Sequence, residues 1–215
     1  GIFKTKINTI FFKKNVKLNH PEYDIFSDTL IYNTELQNTK IIGKTKISTK
    51  NSIINCEKGW FDNISNKSSL KGNVNIKSDN HTLFADSIYY DEKSGISYAE
   101  GNVKIVEDSN NIIIEGNYGH HNENSDSTRI WDNSSLTQGD SSETLKIYAD
   151  QFIKVNDSLS DKIFCFNNVI IDGTQIQGDC DSIYYNETDS IMKCIVQPIL
   201  WVDNNQITGE NIELK

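Results

Sequence analysis

The sequence predicts an all-β protein, built from antiparallel repeats of about thirty residues and folded as a two-sheet tube. Three observations point there. The first is that Leu83-Phe84-Ala85-Asp86-Ser87-Ile88-Tyr89-Tyr90 returns in variant form along the whole chain. Its copies include Phe26-Ser27-Asp28, Asn55-Cys56-Glu57, Glu115-Gly116-Asn117-Tyr118, Tyr148-Ala149-Asp150, Asp179-Cys180-Asp181-Ser182-Ile183-Tyr184-Tyr185 and Gly209-Glu210-Asn211-Ile212. Measured between Asp28, Glu57, Asp86, Asn117, Asp150, Asp181 and Asn211, the steps are 29, 29, 31, 33, 31 and 30 residues. Self-similarity at that period marks one supersecondary unit stacked on its own copies, none able to bury its apolar face alone.

The second observation is another motif lying between these copies: Lys14-Asn15-Val16, Gly72-Asn73-Val74-Asn75-Ile76, Gly101-Asn102-Val103-Lys104-Ile105 and Asn167-Asn168-Val169-Ile170-Ile171, with Lys44-Thr45-Lys46-Ile47 a looser copy. Each repeat therefore has two extended halves. The third is alternation. In Leu70, Gly72, Val74 and Ile76, and again in Ala99, Gly101, Val103 and Ile105, every second residue is small or apolar, and polar residues lie between. One face is dry and the other wet. The first motif shifts phase at its acidic residue: Leu83 and Ala85 agree with each other, whereas Ile88 and Tyr90 are displaced by one position. An odd step of this kind produces a bulge or corner that lets a long strand turn with its apolar side inward. Stacked in register, such bent hairpins form a folded tube with a continuous apolar interior. Asp86, Asp150 and Asp181 are expected to accept backbone N–H groups at the corner.

Taken in order, Lys6 to Leu18 is an apolar, β-favouring opening strand ended by His20-Pro21-Glu22, where proline cannot donate to a ladder. Ile25 to Tyr32 and Lys40 to Ser48 are the next two strands. Asn-rich spacers at 33–38, 62–67, 91–95, 156–160 and 186–189 read as hairpin turns. Residues 110–139 are the least regular stretch. There His120 and His121 point to opposite faces if extended and cannot clasp one ion, so a solvated loop is expected. His20 and His81 are solitary. Near the end, the strand Gln197 to Trp201, a tight Asp203-Asn204-Asn205 turn and Gly209-Glu210-Asn211-Ile212 leave a hairpin unfinished and an edge able to template further pairing.

The unbroken repeat predicts one elongated body over residues 1–215, with no linker. No apolar run reaches the length that spans a bilayer, and Gly1-Ile2-Phe3-Lys4 is no signal peptide, so a leader is either absent or removed. The net charge of −9 hides an asymmetry: residues 1–77 carry 13 Lys against 6 Asp and Glu, the remainder 8 Lys and Arg against 24. A basic end of this kind can meet an anionic ligand or an acidic partner surface; uneven solubilising charge is the plainer reading. Cys56, Cys165, Cys180 and Cys194 form no CxxC pair and no cluster with histidines, so no metal site is expected. Cys180 and Cys194 are symmetric about a turn near Glu187. They are expected to face each other across a hairpin, where an oxidising compartment allows a disulfide; alternatively all four cysteines fill a small buried position. No nucleophile elbow, Cys–His pair, HExxH, P-loop or dinucleotide fingerprint occurs. The acidic residues recur one repeat apart and so form a like-charged ladder rather than an acid–base pair. An enzyme, a cofactor and a nucleic-acid partner are not expected.

Leu70-Lys71-Gly72-Asn73-Val74, Leu83 to Tyr90, Ala99-Glu100-Gly101-Asn102-Val103, Tyr148-Ala149-Asp150 and the run from Trp201 through Gly209-Glu210-Asn211-Ile212 resemble the OstA-like family, which includes LptA and the amino-terminal domain of LptD. The likeness spans nearly the whole chain and weakens over 110–139. It implies an antiparallel β-jellyroll, open along a groove, that carries lipopolysaccharide through the periplasm toward the outer membrane, acyl chains inside and sugars and phosphates outside. It also implies partners in other jellyroll proteins, or further copies, joined edge to edge. On that reading Val74, Ile76, Leu83, Ile88, Tyr90, Val103, Ile105, Val169, Ile183 and Tyr185 line the lipid path, and Lys13, Lys14, Lys44 and Lys46 are candidate contacts to an anionic head group or a partner. The chain is longer than a minimal unit of the family and rich in Asn, Ile and Lys, consistent with a portion of a larger periplasmic or outer-membrane protein. The rival reading is a structural or adhesive β-solenoid with a fully packed core and no lipid ligand. A glycan-binding jellyroll would need a surface aromatic cluster, which Trp60, Trp131 and Trp201 do not obviously form.

Overall fold

The computed structural model describes residues 1–107, 111–139, 143–156, 160–186 and 188–215. Seventeen strands carry the chain: β1 (Ile2–Lys4), β2 (Thr9–Asn19), β3 (Tyr23–Asn33), β4 (Asn38–Thr49), β5 (Ser52–Asp62), β6 (Lys67–Ser78), β7 (His81–Asp91), β8 (Ile96–Glu107), β9 (Ile112–Asn122), β10 (Ser127–Gly139), β11 (Thr144–Val155), β12 (Lys162–Gly173), β13 (Ile176–Asn186), β14 (Ile191–Ile195), β15 (Ile199–Val202), β16 (Asn205–Thr208) and β17 (Asn211–Leu214). Two compact units divide it, Gly1–Gly101 and Asn102–Lys215. In the first, each strand from β1 to β7 pairs antiparallel with its neighbour in sequence. In the second, β9 to β14 do the same, β15 returns to β13 and carries β16, and β17 pairs with β14. The repeat-built antiparallel architecture expected from the sequence is therefore the one observed.

Each long strand is broken near its middle, where the pairing register slips. The slips fall between Lys13 and Val16, Ile42 and Thr45, Lys71 and Val74, Trp131 and Ser134, and Phe166 and Val169. At these points the second motif supplies residues in the left-handed region: Lys14 and Asn15, Gly43, Gly72 and Asn73, Gly101 and Asn102, Asp132 and Asn133, Asn167 and Asn168. Gly, Asn and Asp tolerate positive φ best, and this accounts for the recurring Gly-Asn and Asn-Asn pairs. The acidic residue of the neighbouring first-motif strand folds over the bend. Asp28 Oδ2 accepts the backbone N–H of Lys44 at 3.0 Å. At the equivalent places the acceptors take side chains instead: Glu57 holds the Asn73 amide at 2.8 Å, Asp150 the Asn168 amide at 3.0 Å, and Asp181 the Ser182 hydroxyl at 2.7 Å. The expectation of backbone donors at Asp150 and Asp181 is thus corrected: the Asn168 amide of the bend takes the Asp150 carboxylate, and the adjacent Ser182 hydroxyl takes that of Asp181.

The bend folds the sheet onto itself. In the second unit, Lys154 stands level with Thr128 and His121 at one end of the strands. Glu107 belongs to the other end, yet its carboxylate accepts the Lys154 ammonium at 2.6 Å. In a flat sheet, ten residues of strand would hold them about 30 Å apart.

The turns are laddered as well. Asn33, Asp62, Asp91, Asn122 and Asn186 each accept a backbone N–H two residues on. In the first unit Asn63 N–H and Glu92 N–H reach back to the carbonyls of Gln37 and Asn66 in the preceding turns. The Asn-rich spacers thus turn by Asx geometry. The spacer expected at 156–160 lies partly outside the described residues, as does Glu187 of the spacer at 186–189. Two stretches differ from expectation. Thr5–Ile7 form a 3-10 turn closed by Asn8 in the left-handed conformation, so the opening strand starts at Thr9 rather than Lys6. Residues 112–122 and 127–139 are full strands. There Gly116, Gly119 and Ser134 occupy buried positions that larger residues hold elsewhere, and this hides the pattern.

Gly43, at φ 89°, would bring an added Cβ to 2.5 Å from Asp28 Oδ2. Gly43→Ala is expected to cost about 2 kcal/mol in urea unfolding through backbone strain and this clash. In an Asp28→Gly background the same change costs less, because the Asp28 carboxylate and its Cβ, 2.7 Å from the added atom, are both gone and only the backbone strain remains.

Candidate functional site

The inward residues fall in rows parallel to the bend, and the ten candidate lining residues divide cleanly between rows. Val74, Ile88, Val103, Val169 and Ile183 flank the bend and are buried, the three valines at 1–2% exposure. Ile76, Leu83, Tyr90, Ile105 and Tyr185 lie one inward step further along the strands and are half-buried. The rows next to the bend are close-packed core. The next rows are mixed: Ile25, Ile47, Ile147 and Ile171 stand at the same step and are fully buried, so the partly accessible apolar surface lies only on some strands, among them those that carry Ile76, Leu83, Tyr90, Ile105 and Tyr185.

In the first unit, Val16, Ser27, Thr45, Cys56, Val74 and Ala85 form the row on one side of the bend. Ser27 and Thr45 face each other there with their hydroxyls 2.7 Å apart, so their burial leaves no orphaned polar atom. Beyond them stand Ile25, Ile47, Ile54, Ile76 and Leu83.

The second unit carries charge into its interior. Lys154 follows Phe152 in the inward phase and lies opposite buried Ile163. Its ammonium donates to both oxygens of Glu107, at 2.6 and 2.7 Å, and pairs with Asp161 at 3.4 Å. The Lys154 and Glu107 side chains are only 11% and 13% exposed. Beside Lys154 on the same row is Thr128, whose hydroxyl lies 2.9 Å from His121 Nδ1. His121 is therefore a strand residue paired inward, and the solvated loop expected for the His120-His121 pair is corrected. This polar group was missed in the sequence, although one signal was present: a lysine in the inward phase of Phe152-Ile153-Lys154.

The remaining candidates lie elsewhere. Lys13, Lys14, Lys44 and Lys46 are exposed on the outside of the bend of the first unit, away from its inward rows. The four cysteines are buried free thiols. Cys194 lies opposite Ile183 rather than Cys180, because the symmetry axis of the β13–β14 hairpin pairs residue 186 with 191; it meets Cys180 across the bend as a hydrogen-bonding neighbour. The S–H of Cys194 favours the Cys180 thiolate and lowers its pKa against the opposing effect of burial, while that same bond and burial hold Cys194 above its ordinary range. Burial pushes the Cys56 thiol up to about 11.

This geometry defines an antiparallel β-jellyroll whose bent strands enclose an apolar interior. A family described as LptA/(LptD N-terminal domain) LPS transport protein matches residues 54–215, and the chain belongs to that family. A crystal structure of LptH of Pseudomonas aeruginosa, titled the LptA homologous periplasmic component of the conserved lipopolysaccharide transport device, is similar at 14% identity with a TM-score of 0.46. That similarity covers 54% of this chain and 81% of LptH. No curated protein matches the chain.

Two measurements test the interior. Burial pulls the Lys154 ammonium down, but the Glu107 hydrogen bond and charge, with Asp161, more than reverse it and hold its pKa above the ordinary value. The pair's stabilisation is therefore fully present below about pH 10.4, the unfolded lysine value, and is lost as pH rises through the higher folded value. Lys154→Met strands Glu107 and is expected to cost about 3 kcal/mol at neutral pH, whereas adding Glu107→Leu restores part of that loss in the same unfolding assay. For the thiols, mild oxidation is expected to join Cys180 to Cys194. Alkylation in denaturant, counted by mass, then labels two cysteines instead of four, and Cys180→Ala abolishes the change.

Proposed function

We propose that this chain is a periplasmic carrier that holds the acyl chains of lipopolysaccharide against its inward rows and passes them toward the outer membrane within a bridge of like jellyrolls. Family membership supports the transport role. The observation that carries the lipid path is a set of half-buried inward apolar side chains, Ile76, Leu83 and Tyr90 in the first unit and Ile105 and Tyr185 in the second, at a step where Ile25, Ile47, Ile147 and Ile171 are fully buried. Each acyl methylene covered there contributes roughly 0.8 kcal/mol. Because the contacts are weak, equivalent and repeated along the stack, a chain can slide from one to the next without a single deep minimum. The carrier works by partition and needs no catalytic group.

Edge pairing is the proposed joint. β16 pairs with β15 and β17 with β14, each through one side, and the four residues of β16 are all exposed. Such an edge offers unpaired N–H and C=O groups to another strand, from a further copy or from a different jellyroll. Association with the outer membrane is part of the same proposal.

A structural solenoid remains the rival, and the full burial of Val74, Val103 and Val169 favours it at the first row. The two rows separate the readings. Val103→Arg places a charge in packed core and is expected to prevent folding on either reading. Ile105→Arg, at a half-buried position, is expected to fold with an unchanged circular dichroism spectrum while losing photo-cross-linking to lipopolysaccharide. Native mass spectrometry of the unaltered protein with added lipopolysaccharide is expected to show a lipid adduct. A folded, adduct-free protein, with Ile105→Arg indistinguishable from it, would establish the solenoid.

A further inference from the structure

The outer face of the first unit is basic in a way the fold does not require. Across β2 to β7, the register places Lys13, Thr29, Ile42, Lys58, Lys71 and Ser87 in one row beside the bend. The row on its other side runs Lys17, Phe26, Lys46, Asn55, Asn75 and Phe84. Lys14 and Lys44 stand on the bend between them, and all seven lysines are exposed. Lys58 and Lys71 are directly opposite each other, an arrangement that costs stability in a sheet.

Elsewhere the same protein resolves exposed lysines differently. Lys67 faces Asp91 at 3.3 Å and Lys193 faces Glu213 at 2.9 Å, each directly across a strand pair. Among the described residues, none of the seven lysines of the outer bend has a carboxylate partner. The two acids nearest them are already engaged, Asp28 by the Lys44 backbone and Glu57 by the Asn73 amide. Lys17 instead lies over the Phe26 ring, 5.4 Å from its centroid.

Large apolar side chains are interleaved with this charge. Ile42 is 50% exposed, Phe26 45%, Phe84 39% and Trp60, in the next row out beside Lys40, 37%. Lys13 and Lys71 are four strands apart, about 19 Å at the spacing of a sheet. That is far too long for the lysines to converge on one phosphate, and it suits an array of them. Lysines that can extend past exposed Phe, Ile and Trp side chains form the composition that settles at a bilayer interface, charge on the head groups and rings among the upper acyl carbons.

We propose that the outer bend of the first unit docks on an anionic phospholipid bilayer surface. The contact is separate from the inward rows and does not depend on what they carry. Its orienting charge is the Lys13, Lys58 and Lys71 row, and its apolar anchors are Phe26, Ile42 and Trp60.

The test is flotation with vesicles of phosphatidylcholine alone and of phosphatidylcholine mixed with phosphatidylglycerol. The protein is expected to float with the mixed vesicles only and to be released by high salt. Lys71→Glu replaces the Lys58–Lys71 repulsion with an ion pair, so it is expected to raise the urea midpoint while weakening vesicle binding about thirtyfold, at about a factor of five for each half of the charge reversal. Phe26→Ser, with net charge unchanged, is expected to weaken it as well. Binding to neither vesicle, equal binding to both, or Lys71→Glu binding like the original protein would overturn the proposal. Displacement from the mixed vesicles by inorganic phosphate would assign the lysines to free phosphate. Tight binding to polyglutamate that is indifferent to Phe26→Ser would assign them to an acidic protein partner. Either result also overturns docking on the bilayer.

Discussion

The fold depends on a local backbone event repeated in every second long strand. One or two residues enter the left-handed region, the pairing with the neighbouring strands slips, and the strand turns back over its own interior. Left-handed geometry is costly for most residues and cheap for Gly and Asn, which is why Gly72-Asn73, Gly101-Asn102 and Asn167-Asn168 recur where side-chain packing alone would accept many alternatives. The carboxylates of Asp28, Glu57 and Asp150 then fasten each bend to the adjacent strand. Stacked carboxylates repel one another, but the exposed position of each, with a hydrogen bond to a bend residue, keeps that repulsion small beside the geometry gained.

Close to the bend the two halves of the strand converge, and Leu30, Val74, Val103, Phe152 and Val169 are almost completely enclosed. One step out the strands differ: Ile25, Ile47, Ile147 and Ile171 are still buried, whereas Ile76, Ile105 and Tyr185 keep part of their surface accessible. The proposed acyl-chain contacts use the surface left open at that step. In the second unit the opening is crossed by Lys154 and Glu107. Their interaction gains strength from reduced solvent, yet the desolvation of both groups offsets much of it, so the pair acts more to set which halves face each other than to add stability.

Charge outside the bend follows no comparable internal need. The first unit places lysine opposite lysine where the register would accept a carboxylate, whereas Lys67 and Lys193 show that the fold readily provides one. A surface that forgoes cross-strand pairing and also exposes aromatic side chains is shaped by what lies beyond it. The inward face and the outward bend are therefore two chemically distinct surfaces produced by one backbone pattern, one apolar, the other basic and studded with rings.

Much of this was legible in the residues themselves. The thirty-residue period, the phase shift at Asp86 and the Asn-rich turns are local, since each rests on the conformational preference of a few neighbours, so the bent antiparallel repeat could be read directly. The stretch 112–139 hid its strands because glycine and serine at its buried positions erase the apolar alternation while still satisfying the pleat. The ten candidate lining residues lie on the inward side of their strands, but alternation carries no measure of depth. The division between packed Val103 and half-exposed Ile105 came only from the three-dimensional bend. The same holds for contacts between residues far apart in sequence: Lys154 with Glu107, Cys180 with Cys194, and the Lys58–Lys71 pair on the outer face depend on register and on folding the sheet over. Sequence by itself determined the repeating element and its preferred bend, because those are short-range properties of the backbone. Which faces meet, how deeply, and which charges are left to solvent were decided by the tertiary structure alone, because they depend on how the repeats stack.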